Sequence, residues 1–188
     1  MNATATATVN TSAASNYDEA ADYIWNNSFD KPTLVVSRAR VGVQYDALQA
    51  GLGDARIHYA VKANPAPEII RMLVERGSGF DAASRQEIEL CLSQGADPAK
   101  ISFGNTIKRG VDIAFAHSIG VTMFAADCEA ELDKIAEHAP GARVYIRLIV
   151  ENSMADWPLT RKFGCAGSLL PSLLEYTKSV GLVPYGLS

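Results

Sequence analysis

Cysteine is scarce in these 188 residues: Cys91, Cys128 and Cys165 are the full set. An odd number with no CxxC pair argues against a disulfide framework or a thiolate zinc site and suits reduced thiols. Their flanks, ELCLSQ, AADCEA and KFGCAG, do not match, so their even spacing is not a repeat. Histidine is equally thin, and His58, His117 and His138 are too scattered for a metal cluster. A basic surplus is missing too. The net charge of -4 gives no electrostatic case for nucleic acid or for an anionic membrane. No run approaches the roughly 20 apolar residues of a membrane helix. The opening MNATATATVNTSAASN lacks the basic start and apolar centre of a signal peptide and the arginines of a transit peptide. It reads as a disordered tail over residues 1–16. These absences together suit a cytoplasmic protein.

What is present is an ordinary globular composition, 48% hydrophobic and 20% charged, long enough for one sizeable core. From Asp18 the segment DEAADYIWNNSF reads as a helix, KPTLVVSRA as a strand and VGVQYDALQAGLG as a helix closed by glycine. Regular alternation follows. Strands IHYAVK, SGFDA, ISFGN, VTMFAA, ARVYIRLIV and LVPYGLS are separated by helical patterns such as PEIIRMLVERG and DCEAELDKIAEHA. Strands spaced by helices of about ten to fifteen residues indicate βαβ units and a parallel sheet. An open doubly wound sheet is one solution, but no glycine-rich phosphate loop follows the first strand. The other is a (β/α)8 barrel, which at roughly 250 residues needs more chain than this and is expected to be cut short after about six strands.

Several residues sit where chemistry is placed in such folds. Alternation in IHYAVK puts His58, Ala60 and Lys62 on one face, with Lys62 at the carboxyl end before Asn64-Pro65. A solvated terminal lysine is the plain alternative. Asp81 ends the next strand, where it is either a loop aspartate or a second group at a common mouth. Ser84 and Glu87 form an S-x-x-E capping box, which is sufficient reason for both. Arg147 lies within VYIRLIV, whose apolar neighbours predict burial, so it needs a partner: a structural carboxylate or an anionic ligand. WPLTRKFGC carries Arg161 and Lys162 on a loop long enough to be functional.

In this order and at these spacings, YAVKANP, GSGFDAASRQEIELCL, ISFGNTIKR and WPLTRKFG resemble the ornithine decarboxylase family over about residues 31–188. These are pyridoxal-phosphate enzymes on an alanine-racemase-like barrel, and the WPLTRKFGC form is similar to bacterial ornithine or lysine decarboxylases. The resemblance implies that Lys62 forms the imine with the cofactor, with Asp81 near that bond and Glu87 behind it. It implies that Arg147 reaches the cofactor's phenolic oxygen and that Lys162 pairs with an acid of a second subunit in a homodimer. The implied activity is decarboxylation of L-ornithine to putrescine in polyamine biosynthesis. Lysine or another diamino acid is the alternative substrate, and a non-catalytic truncated binding partner the alternative role. The resemblance implies a lead-in helix and strand over residues 17–40, a partial barrel over 41–188 and a carboxyl-terminal β domain that is absent here. The family's later phosphate loop and substrate residues are not in the sequence, so these residues alone are expected not to turn over.

Overall fold

The computed structural model describes residues 16–149 and 163–188. The chain divides into two compact units between Gly51 and Leu52. The first contains helix α1 (Asn16–Trp25) and most of α2 (Arg38–Leu52). The Ser37 hydroxyl accepts from the Arg40 N–H at 3.3 Å and caps the start of α2. Residues 32–37, expected as a strand, form none. A β-prone run becomes a strand only when a neighbour takes its N–H and C=O groups, and no described strand pairs with it.

The second unit alternates strand and helix as the sequence predicts. Strands β1 (His58–Ala60), β2 (Gly79–Ala82), β3 (Ile101–Phe103), β4 (Met123–Ala126), β5 (Arg143–Ile146) and β6 (Val183–Leu187) form one sheet. Between them lie α3 (Pro67–Glu75), α4 (Arg85–Ser93), α5 (Gly110–Ser118), α6 (Glu129–His138) and α7 (Leu170–Ser179). Local chemistry sets the ends. Proline opens α3, where a missing N–H costs nothing. The Ser84 hydroxyl accepts from the Glu87 N–H at 3.3 Å and caps α4. Gly77, at φ 80°, takes the left-handed conformation that turns the chain from α3 into β2.

Sheet order decides between the two architectures. Every pairing is parallel, and the order β1-β2-β3-β4-β5-β6 follows the sequence without reversal. A doubly wound sheet reverses at a switch point, which puts helices on both faces. With no reversal and right-handed crossovers, all five helices cover the same face. The fold is α/β, an arc of a TIM-type barrel.

Alternation then divides the residues. Phe80, Phe103, Phe124 and Ile146 point to the outer face and are fully or almost fully buried. Ile70 and Leu73 of α3, Ile88 of α4, Ile113 of α5 and Leu132 of α6 are fully or almost fully buried as well. Each such side chain contributes about 1.5–3 kcal/mol of burial. Phe103 and Phe124 are register partners on adjacent strands, and their rings stack tilted at 6.2 Å. The inner face carries Ala60, Asp81, Ser102, Met123, Ala125, Arg143 and Tyr145, which register pairing places side by side.

Candidate active site at the carboxyl ends of the strands

Because all strands run parallel, the ends of β1, β2 and β5 lie at one edge of the sheet. β1 stops at Ala60, two residues before the sequence pattern ends at Lys62, and Val61–Ala63 makes a 3-10 turn. Val61 drops into the core while Lys62 is exposed. Lys62 therefore stands in the turn beyond β1, where the sequence placed it on the strand's inward face. Asn64 closes the turn: its side chain accepts from the Ala66 N–H at 3.1 Å, and its carbonyl accepts from the Tyr59 hydroxyl at 3.2 Å. The result is a primary amine in solvent, held by a short, fixed piece of backbone.

Asp81 sits in β2, half-buried on the inner face beside Ala60. Its Oδ1 accepts from the Ser102 hydroxyl of β3 at 2.8 Å. Tyr145 of β5 lies on the same inner face, two strands beyond Ser102. Burial pushes the Tyr145 phenol well above its ordinary range, and the Asp81 charge adds to that. The Asp81 carboxylate lies so close to Gly104 that a Cβ there would overlap Oδ1. Position 104 must be glycine for Asp81 to stay where it is.

Arg147 corrects an expectation. It is exposed and follows the end of β5. The apolar neighbours in VYIRLIV do not bury it, because Val144 and Ile146 serve the outer face and leave Tyr145 and Arg147 on the inner one. Arg147 backbone holds the edge: its N–H donates to Ala126 at 2.9 Å, and its carbonyl accepts from Cys165 at 2.9 Å. Its guanidinium lies 5.6 Å from the centre of the Phe163 ring. Glu87 acts as its local sequence says, accepting from the Ala83 N–H at 2.6 Å as part of the cap of α4. Arg161 and Lys162 lie outside the described residues.

The structure thus brings Lys62, Asp81 and Arg147 to the same edge and adds Tyr145, Ser102 and Gly104, which the sequence did not single out. Alternation did carry one signal, since Tyr145 stands two residues before Arg147 and so shares its face. Gly164 is a further member of the edge. Its N–H donates to Asp127 at 2.8 Å, and at φ 105° it passes so near Leu148 that a Cβ would meet that backbone carbonyl carbon at 2.8 Å.

A buried ionic cluster also escaped the sequence. Lys108, in the loop after β3, pairs with Glu131 at 2.8 Å and donates to the carbonyls of Asn105 at 2.7 Å and Ala125 at 2.6 Å. Burial lowers the Lys108 pKa, opposed by Glu131. Lys134 joins Glu131 at 2.5 Å from the solvent side. β3 leaves the ladder after the Phe103–Phe124 pair, and Lys108 takes the next carbonyl, Ala125, in its place.

What the edge can hold follows from its donors. An exposed amine attacks an aldehyde to form an imine. A guanidinium addresses a ring oxygen, and Arg147 is exposed at this edge. These groups fit pyridoxal phosphate. Known proteins agree with that chemistry. A family model for the pyridoxal-binding domain of pyridoxal-dependent decarboxylases matches residues 38–188. The decarboxylase flvG of Aspergillus flavus is 38% identical over 164 residues, 87% of this chain and 38% of that protein. The lysine/ornithine decarboxylase of Selenomonas ruminantium is 35% identical over 156 residues, 83% of this chain and 40% of that protein. A crystal structure of a lysine decarboxylase variant from the same organism, in complex with PLP, superposes with a TM-score of 0.81 at 31% identity. It covers 95% of this chain and 46% of that one. The chain spans about two fifths of the length of the curated relatives it matches. With the lysine-bearing turn, the parallel arc and the matched span all in agreement, the chain belongs to the pyridoxal-dependent decarboxylase family, through its pyridoxal-binding domain.

Proposed function

We propose that the chain supplies the cofactor-holding part of a decarboxylase that converts L-ornithine to putrescine. The observation that carries this reading is the exposed amine of Lys62 at the carboxyl end of β1, beside the strand that bears Asp81. Pyridoxal phosphate, when bound, supplies an electron sink for the pair left behind as carbon dioxide departs. The chain's own residues do the rest. Lys62 Nζ attaches the cofactor, Asp81 offers a fixed carboxylate beside that attachment, and Arg147 addresses the ring's phenolic oxygen. Glu87 keeps Asp81's strand in place by anchoring the Ala83 N–H just past its end. Lys162 pairs with an acid of a second copy in a homodimer, and the protein works in the cytoplasm. Lysine is the second substrate reading, supported by the relative named a lysine/ornithine decarboxylase.

The attachment is tested by adding pyridoxal phosphate to the full chain, reducing with borohydride and mapping the labelled peptide. Label on Lys62 is expected, and loss of label in Lys62→Ala. Label on another lysine rejects the assignment. Substrate choice is tested by grafting residues 38–188 into the matching span of the Selenomonas ruminantium lysine/ornithine decarboxylase. Carbon dioxide release from ornithine above that from lysine supports the first reading, and the reverse order supports the second. The ungrafted chain is expected to take label yet release no carbon dioxide. The outer strands β1 and β6 each have one side without a strand partner among the described residues.

A further inference from the structure

We propose that Phe163 is a positioning residue of this site: its ring holds the Arg147 guanidinium, and the Asp127 carboxylate holds the backbone that carries the ring. The inference rests on the reading that Arg147 addresses the cofactor's phenolic oxygen.

The segment from Phe163 to Cys165 is built into the carboxyl edge of the sheet. The Ala126 carbonyl at the end of β4 accepts from the Arg147 N–H at 2.9 Å, and the chain then turns into α6. Cys165 takes over the place beside the chain that leaves β5. Its N–H donates to the Arg147 carbonyl at 2.9 Å, and its own carbonyl accepts from the Ile149 N–H at 2.9 Å. Leu148 and Cys165 thereby form a parallel bridge. Asp127, the residue after Ala126, joins the two pieces: its Oδ2 accepts from the Gly164 N–H at 2.8 Å. Gly164, at φ 105°, passes so close to the Leu148 backbone that any side chain there would collide. A carboxylate, a bridge and a glycine thus fix the backbone that follows Phe163. Phe163 itself is exposed, yet the centre of its ring lies 5.6 Å from the Arg147 guanidinium carbon. A ring face within about 6 Å attracts a cation. The Arg147 backbone is tied at both its N–H and its carbonyl, so the ring restrains the part of the residue that the backbone bonds leave free. An exposed arginine otherwise samples many rotamers and loses that freedom on binding. A guanidinium already steadied at the edge loses less, which raises affinity for the ring oxygen it meets.

The competing explanation is that Phe163 only shields the edge and the arginine rests on the nearest ring. A double-mutant cycle separates the two. In the full chain, affinity for pyridoxal phosphate is measured by spectroscopic titration for Phe163→Leu, Phe163→Tyr, Arg147→Met and Phe163→Leu combined with Arg147→Met. The positioning role predicts about threefold weaker binding in Phe163→Leu and parent affinity in Phe163→Tyr. Melting temperatures should stay within about 3 °C of the parent. Adding Phe163→Leu to Arg147→Met should cause no additional loss. A second readout needs no cofactor. The ring displaces the Arg147 side-chain proton resonances in NMR, and that displacement should vanish in Phe163→Leu, survive in Phe163→Tyr and shrink in Asp127→Ala. Parent affinity in Phe163→Leu, an equal loss in the Arg147→Met background, or unmoved Arg147 resonances in Phe163→Leu would each overturn the role of Phe163. Unmoved resonances in Asp127→Ala would overturn the part given to Asp127. Parent affinity in Arg147→Met would instead overturn the reading beneath the proposal.

Discussion

The outer and inner faces of the sheet are built from the same strands yet obey different rules. On the outer face Phe80, Phe103, Phe124 and Ile146 are sealed under the helices, and polarity is absent from them. On the inner face the same strands present Asp81, which accepts from the Ser102 hydroxyl, and Tyr145, with Arg147 exposed at the end. A single one-residue step along β5, from Tyr145 to Ile146, crosses from one regime to the other. Burial thus concentrates on one face and the proposed site on the other, and substitutions should separate along that line.

The largest expected effect belongs to the outer face. Phe124→Ala removes a fully buried ring stacked on Phe103 and should lower stability by about 3–5 kcal/mol in chemical denaturation. Tyr145→Phe, one strand away on the inner face, should change it by about 1 kcal/mol. Comparable losses would mean that the inner face is core as well.

Next comes the polar exception on the buried side. Lys108→Met leaves Glu131 short of one partner and the Ala125 and Asn105 carbonyls without their donor. Removing one member of a buried pair costs about 3–5 kcal/mol, and the low end is expected because Lys134 and the Lys108 N–H still reach Glu131. Lys134→Met should cost about 1 kcal/mol at most, since its side chain is 38% exposed. Equal losses from the two lysines would show that burial does not set their difference.

Arg147→Met sharpens the comparison from the opposite direction. An exposed arginine whose structural bonds are made by its backbone should leave stability within about 0.5 kcal/mol. If it addresses the cofactor, the affinity for pyridoxal phosphate should fall about tenfold by spectroscopic titration. A loss of stability with unchanged affinity would return Arg147 to a structural role.

The contrast also explains what the sequence could and could not reveal. The alternation of periods marked every strand and helix of the second unit, because burial on one side of a parallel arc leaves a clear pattern. It overreached at VYIRLIV, where an apolar run suggested burial of Arg147, although that residue lies past the end of β5 and is exposed. It overreached again at KPTLVVS, since β propensity cannot report whether a neighbouring strand exists. Lys62 and Asp81 were legible from strand ends. The Ser102–Asp81 bond was not, because the two residues lie 21 apart in sequence and meet only through strand register. Lys108 was hidden for the same reason: its carbonyl and carboxylate partners are supplied by β4 and α6.

The smallest effect is read in the helix layer by pH. Cys91 is fully buried in α4, and burial, with Glu87 one turn away, pushes its thiol from 9.0 up to about 12. Cys128 is exposed. At pH 8 a thiol reagent should therefore modify Cys128 well before Cys91, because the thiolate is the reactive form and needs access. The same shift has a consequence for stability, whose sign follows from proton counting. Between pH 9 and about pH 12 the unfolded thiol has lost its proton while the folded one keeps it. The folded state binds more protons in that window, so stability falls as pH rises, by up to about 1.4 kcal/mol per pH unit from this group. Cys91→Ala should be less stable at pH 7 by about 1 kcal/mol, from lost packing, and should show a shallower decline above pH 9. Parallel alkaline declines in parent and variant would show that Cys91 is not the group that titrates, and that the helix layer is more open to water than its burial implies.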